Sequence, residues 1–114
     1  MKNPAQRLRD IRENIDAIES FVGRMNQVEF TADRKTVYAV TRALEIISEA
    51  LRQLPKELKD RYPSIDWAAV AAAGNVYRHE YEAVDEAQLW HTVRTGLSPL
   101  REMASAELDR LFPR

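Results

Sequence analysis

The segment Gly74-Asn75-Val76-Tyr77-Arg78-His79-Glu80-Tyr81 concentrates residue types that move protons and hold phosphates. It carries one of the chain's 2 histidines. Imidazole is the side chain best suited to take and return a proton near neutral pH. A guanidinium binds phosphate through paired hydrogen bonds, and an asparagine amide can orient either partner. Asn75, Arg78 and His79 therefore form a candidate site for phosphodiester chemistry without a metal. In a helix, Asn75, Arg78, His79 and Glu82 share one face by their three- and four-residue spacings. Tyr81 joins that face only if the helix ends or unwinds near residue 80. The same residues also read as a polar helix end with a satisfied histidine and a surface arginine.

The elements that must carry these side chains read as helices. With only 3 Gly in 114 residues, little is available for tight β-turns, and no strand pattern or internal repeat is visible. Pro4 suits a first helical turn. Leu8, Ile11, Ile15, Ile18, Val22 and Met25 then step by 3, 4, 3, 4, 3, the seam of an amphipathic helix whose end Gly23 weakens. Asp33 is a candidate N-cap for a second helix carrying Val37, Val40, Leu44, Ile47, Leu51 and Leu54, stopped by Pro55. Residues 55–61 allow a short extra turn. Ser64 or Asp66 can cap a third helix from Trp67 to about His79, rich in Ala at its start, with Gly74 inside it. A glycine there costs about 1 kcal/mol relative to alanine and needs a reason. Asp85 caps a fourth helix with Leu89, Trp90, Val93 and Leu97, and Ser98-Pro99 reads as the N-cap and first residue of a fifth. Short loops make successive long helices antiparallel. The expected fold is all-α, an antiparallel up-and-down bundle of four to five helices in a single domain, residues 1–114.

Composition narrows the function classes. Lys+Arg 17 against Asp+Glu 18 gives a net charge of −1, so nucleic-acid binding requires a local patch rather than a global basic field. The absence of Cys removes disulfides and thiolate nucleophiles, and 2 His make a multi-histidine metal site within one chain improbable. No metal and no cofactor are expected. No apolar run approaches the roughly 20 residues that span a bilayer, and the N-terminus lacks a signal-peptide core. The expectation is a cytoplasmic protein without membrane contact.

Several pieces occur in a telling order: Leu44-Glu45-Ile46-Ile47-Ser48-Glu49-Ala50, Leu54-Pro55-Lys56-Glu57-Leu58, Tyr62-Pro63-Ser64-Ile65-Asp66-Trp67, Asn75 to Tyr81, and Val84-Asp85. This ordered set resembles the HepT toxin family of HEPN domains from about residue 5 to residue 110. No single piece is specific, whereas the set is fairly so, above all the His-x-Tyr ahead of Val-Asp. The resemblance implies a helical bundle that forms a homodimer or higher homo-oligomer and shares a metal-independent ribonuclease site across the dimer. It also implies a minimal nucleotidyltransferase antitoxin as partner, which neutralises the toxin by transferring AMP from ATP onto the tyrosine of the His-x-Tyr motif. Here those residues are His79 and Tyr81.

One position departs from the family pattern. The family's motif arginine immediately precedes the asparagine, and that position is Gly74. Arg78 stands four residues later, and helical side chains lean toward the N-terminus, so its guanidinium is expected to fill the gap over Gly74. The expected function is a toxin that cleaves RNA, with His79 as acid or base, Arg78 on the phosphoryl oxygens and Asn75 orienting. The alternative is an inactive HEPN-type dimeric module that binds RNA or the nucleotidyltransferase. Tyr77 reads as core or interface, Trp67 and Trp90 as core, and His91 as a surface residue. Arg7, Arg9 and Arg12 read as a solvated face, with Arg7 and Arg12 as candidate phosphate contacts. The Ala-rich start of the third helix suits either a dimer contact or a tight internal helix pair.

Overall fold

The computed structural model describes residues 3–79, 82 and 84–113. Its elements, in chain order, are α1 (Ala5–Val22), α2 (Gln27–Ala32), α3 (Arg34–Arg52), α4 (Lys56–Asp60), α5 (Trp67–His79), α6 (Glu86–His91), a π-helical turn (Thr92–Gly96) and α7 (Leu97–Leu111). No strand occurs among the described residues. The molecule is an all-α antiparallel bundle in which α1 packs against α3 and α7, and α3 packs on its other side against α5.

The apolar stripes explain that arrangement. Leu8, Ile11, Ile15 and Ile18 of α1 are wholly buried, as is Val40 of α3, and Ala43, Leu44, Ile47 and Leu51 of α3 are nearly so. α1 ends at Val22, where Gly23 turns into the left-handed region at φ 53° and its N–H donates to the Glu19 carbonyl. Glycine enters that region without the Cβ clash that other residues meet. Met25 therefore lies outside the helix that its spacing predicts, though it still packs against the core. Between them α2 forms on a capping box, in which Asn26 accepts from the Glu29 N–H and the Glu29 carboxylate accepts from the Asn26 N–H. Its Phe30 is fully buried and packs against Trp90, the ring centroids 5.3 Å apart and the rings tilted by 40°.

Asp33 caps α3 by accepting from the Thr36 N–H. The short turn after Pro55 is α4, and Asp66 rather than Ser64 caps α5, accepting from the Ala69 N–H at 3.0 Å. Asp85 caps α6 through the Ala87 N–H.

The C-terminal region corrects one expectation. Ser98 and Pro99 do not open a separate helix, because α6, the π turn and α7 run without a break from Glu86 to Leu111. In a regular helix the Pro99 ring would meet the Thr95 carbonyl four residues earlier. The widened π turn ends three residues before Pro99, and such a turn relaxes the ladder where a proline interrupts it.

Candidate active site

α5 positions the candidate residues. Its seat on α3 is set by Gly74, which is buried against Ser48. A Cβ at position 74 would stand 2.7 Å from the Ser48 Cβ and 3.3 Å from its Oγ, so the two helices meet there too closely for any side chain but hydrogen. That close approach is the reason for a glycine in mid-helix.

The guanidinium of Arg78 occupies the space beside this contact. Its Nη1 lies 3.2 Å from where a Cβ on residue 74 would be. The expected backward lean of Arg78 over Gly74 is therefore what the geometry has. On α3, Glu49 faces the same group, with Oε2 3.6 Å from Arg78 Nη1, beyond hydrogen-bond range. Glu49 is occupied elsewhere, accepting from Arg52 at 2.6 and 3.1 Å and from Gln53 at 2.8 Å. The Arg52 bonds first, and the Gln53 bond second, hold its carboxyl at about 2, against a small opposing effect of burial, and the charges of Arg52 and Arg78 lower it further. Glu49 is thus ionised throughout the physiological range. Among the described residues the Arg78 guanidinium makes no hydrogen bond. Its donors face a groove of about 190 Å³ lined by Arg7, Arg42, Glu45, Ile46 and Glu49.

His79 is the last residue of α5 and is exposed, and Asn75, one turn earlier, is exposed as well. No hydrogen bond among the described residues joins Asn75, Arg78 and His79, so within one chain they share a helix end without converging on a common atom. Glu82 follows the end of α5 and no longer shares its face. Tyr81, the expected AMP acceptor, lies outside the described residues. Tyr77 is half-buried against the core, and burial pushes its phenol above the ordinary range. Trp67 and Trp90 are likewise half-buried against the core, and His91 is exposed. Arg7 pairs loosely with Asp10 at 3.7 Å, Arg9 stacks over Phe112, and Arg12 is solvated. Ala68, Ala69, Ala71 and Ala72 are exposed, so this stretch forms no tight pair within the chain.

Sequence reasoning missed Glu49 and Arg42 as parts of the site. Glu49 opposes Arg78 from a helix far away in the chain, and no local spacing signals it. The oddity of Gly74 marked the place without naming Ser48 as its partner. Among the described residues no cluster of three or more His, Asp or Glu could hold a metal ion, and no helix is long and apolar enough to cross a membrane.

Comparison with known proteins adds to this geometry. A family model described as ribonuclease HepT-like matches residues 11–107. A protein of Thermococcus cleftensis, named as a probable ribonuclease HepT, is 39% identical over 94 residues, covering 82% of this chain and 86% of that protein. A Methanocaldococcus jannaschii protein that carries RNase in its name is 33% identical over 95 residues, covering 83% of this chain and 78% of its own. A Caldanaerobacter subterraneus protein, also with RNase in its name, is 27% identical over 110 residues, covering 96% and 98%. No solved structure matches significantly.

Proposed function

This chain belongs to the ribonuclease HepT-like family, and from that premise we propose that it is the toxin of a toxin–antitoxin pair that cleaves RNA without a metal. The observation that carries this reading is the Arg78 guanidinium lying over Gly74, where it supplies a cation at the position from which the motif arginine is absent. His79 takes the proton of a ribose 2′-hydroxyl, or delivers one to the departing 5′-oxygen. The 2′-oxygen bonds to phosphorus as the P–O5′ bond breaks, leaving a 2′,3′-cyclic phosphate and a 5′-hydroxyl. Arg78 stabilises charge on the non-bridging oxygens, a kind of contribution often worth about 3–4 kcal/mol, and Asn75 orients the phosphate or the imidazole.

The exposure of His79 and of the alanine face of α5 supports a homodimer or higher homo-oligomer, in which a second His79 supplies the other half of acid–base catalysis. Neutralisation is assigned to a minimal nucleotidyltransferase. The Tyr81 oxygen attacks the α-phosphorus of ATP, pyrophosphate leaves, and the bulky AMP anion then stands two residues from His79. The working compartment is the cytoplasm, where RNA and ATP are available.

The test is cleavage of end-labelled RNA in chelator by the wild type, His79→Ala and Arg78→Ala. Wild-type cleavage to cyclic-phosphate ends, with each variant reduced about 10²-fold or more, is the expected result. Equal cleavage by wild type and His79→Ala overturns the catalytic assignment. A second reading is a non-cleaving module that binds RNA or the nucleotidyltransferase. The carboxylate of Glu49, 3.6 Å from the Arg78 guanidinium, favours it by opposing phosphate at that cation. A folded wild type of unmodified mass that cuts nothing selects this second reading.

A further inference from the structure

A second cavity adjoins the Arg78 groove. It has about 540 Å³, within the range of small-ligand sites, and is lined by residues of α3, by Tyr77 of α5, by Glu82 and Val84, and by Glu86 of α6. Val37, Tyr38, Tyr77, Val84, Glu82 and Glu86 are among its lining residues. Arg42 and Glu45, ion-paired at 2.7 Å, line both this cavity and the Arg78 groove and so form the wall between them.

Tyr38 is the unusual member. It is an aromatic side chain left 61% exposed, yet it is held in place. Arg34, one helical turn earlier, donates to its hydroxyl from Nε at 3.1 Å and from Nη2 at 2.9 Å, and its guanidinium carbon sits 5.3 Å from the ring centroid. An aromatic ring already fixed in one rotamer loses little entropy when a flat ligand stacks on it. The walls are mostly apolar, and apart from Thr41 and the Arg42–Glu45 pair the charged groups that line the cavity are the carboxylates of Glu82 and Glu86. Glu82 and Glu86 have no ion-pair partner among the described residues. Carboxylates repel a phosphate but accept hydrogen bonds from ring N–H and amino groups.

From this combination we infer that the cavity is a subsite for an unpaired nucleobase of single-stranded RNA, stacked on Tyr38, with guanine preferred. The backbone stays outside the acidic cavity and passes over Arg42 toward Arg78, whose guanidinium lines the neighbouring groove. Guanine presents N1–H and N2–H₂ side by side, two donors that match one carboxylate, whereas uracil offers a single N3–H. Stacking on an exposed ring is the common way proteins hold unpaired bases. The inference rests on RNA being the ligand of the adjoining site, and deepens that reading by naming an unpaired base as the determinant.

The experiment measures anisotropy of labelled 2′-O-methyl oligonucleotides, which cannot be cut, on the full chain. One probe is a ten-residue oligo(U), and the other carries a single guanosine. The expected result is tighter binding of the guanosine probe by wild type. Tyr38→Ala should weaken that binding about tenfold and abolish the difference between probes, while Tyr38→Phe, which keeps the ring but loses the Arg34 bonds, should keep the guanosine preference with a smaller loss of affinity. The double variant Glu82→Gln with Glu86→Gln should lose the guanosine preference without losing oligo(U) affinity. Equal binding of the two probes by wild type overturns the inference, and so does a Tyr38→Ala protein that binds as wild type does. Cleavage of ordinary RNA by the same preparations separates the two failures. Retained cleavage with no Tyr38 effect sinks the base subsite alone, and a wild type that neither binds nor cuts sinks both.

Discussion

α3 has two neighbours and treats them differently. Toward α1 it presents Val40, Leu44, Ile47 and Leu51, all buried, and α1 answers with Leu8, Ile11, Ile15 and Ile18, which have no exposed surface. Toward α5 it presents Ser48 against Gly74 and Glu49 against Arg78. α5 buries only its glycine fully and leaves most of its alanines in solvent. One seam is apolar and closed, and the other is a point of backbone approach beside charges. Burial of large aliphatic side chains stabilises by about 1.5–3 kcal/mol each, so the first seam holds the bundle. The second half-buries Trp67, Val70 and Tyr77 and leaves the end of α5 open, where it keeps a guanidinium and an imidazole at the water interface. Fold stability and candidate chemistry are thus carried on opposite sides of α3.

The largest effect should come from the closed seam. Ile15→Ala removes a side chain with no exposed surface and is expected to cost about 3 kcal/mol, within the range for buried Ile-to-Ala changes. Denaturant unfolding measures it, and a loss below about 1 kcal/mol would mean that this seam collapses readily around the cavity. Exposed His79→Ala, measured beside it, should stay within about 0.5 kcal/mol of wild type. Gly74→Ala probes the open seam and should come next. Alanine gains about 1 kcal/mol of helix propensity, but its Cβ would stand 2.7 Å from the Ser48 Cβ, the root of a side chain that cannot swing aside. Overpacking of about 1–3 kcal/mol outweighs the gain, so a net loss of about 1 kcal/mol is expected. A stabilised Gly74→Ala protein would break the comparison, because α5 would then have slack against α3.

Much of the closed seam was legible in the sequence, because long helices repeat their apolar residues at a fixed period and α1 and α3 each do so for about five turns. The caps at Asp33, Asp66 and Asp85 were legible for a local reason, since each side chain bonds an N–H two or three residues on. α2 was not, because six residues with one buried side chain show no period, although Asn26 and Glu29 carry the capping-box spacing. Ser98-Pro99 misled because its local chemistry is that of a helix start. The π turn that accommodates Pro99 and keeps the helix continuous lies upstream of both residues, at Thr92–Gly96, where no local signal marks it. In the candidate site, Asn75, Arg78 and His79 were visible by type, and the lean of Arg78 followed from helix geometry. Ser48, Glu49 and the Tyr38 cavity were hidden because each is a meeting of helices distant in the chain.

A further effect of about the same size tests how much a buried charge adds to the stable side of the molecule. Glu107 of α7 is buried, accepting from Arg61 and from the Tyr62 hydroxyl at 2.7 Å, and so ties the segment after α4 to α7. Burial pushes its carboxyl up, but the bonds from Arg61 and Tyr62, with the charges of Arg61 and Arg110, more than reverse this and leave it below the ordinary 4.5. A carboxyl lowered on folding contributes stability that is complete above its unfolded value and is lost as pH falls through the folded value. Glu107→Gln keeps the shape and can accept one bond, so at neutral pH it should cost about 1 kcal/mol, a charged hydrogen bond discounted for the solvent that reaches Arg61. The stability gap between wild type and variant should narrow as pH drops below 4.5 and then close. Urea midpoints for both proteins between neutral and strongly acid pH measure it. A gap that stays constant would show that the loss at Glu107 comes from packing and not from its charge.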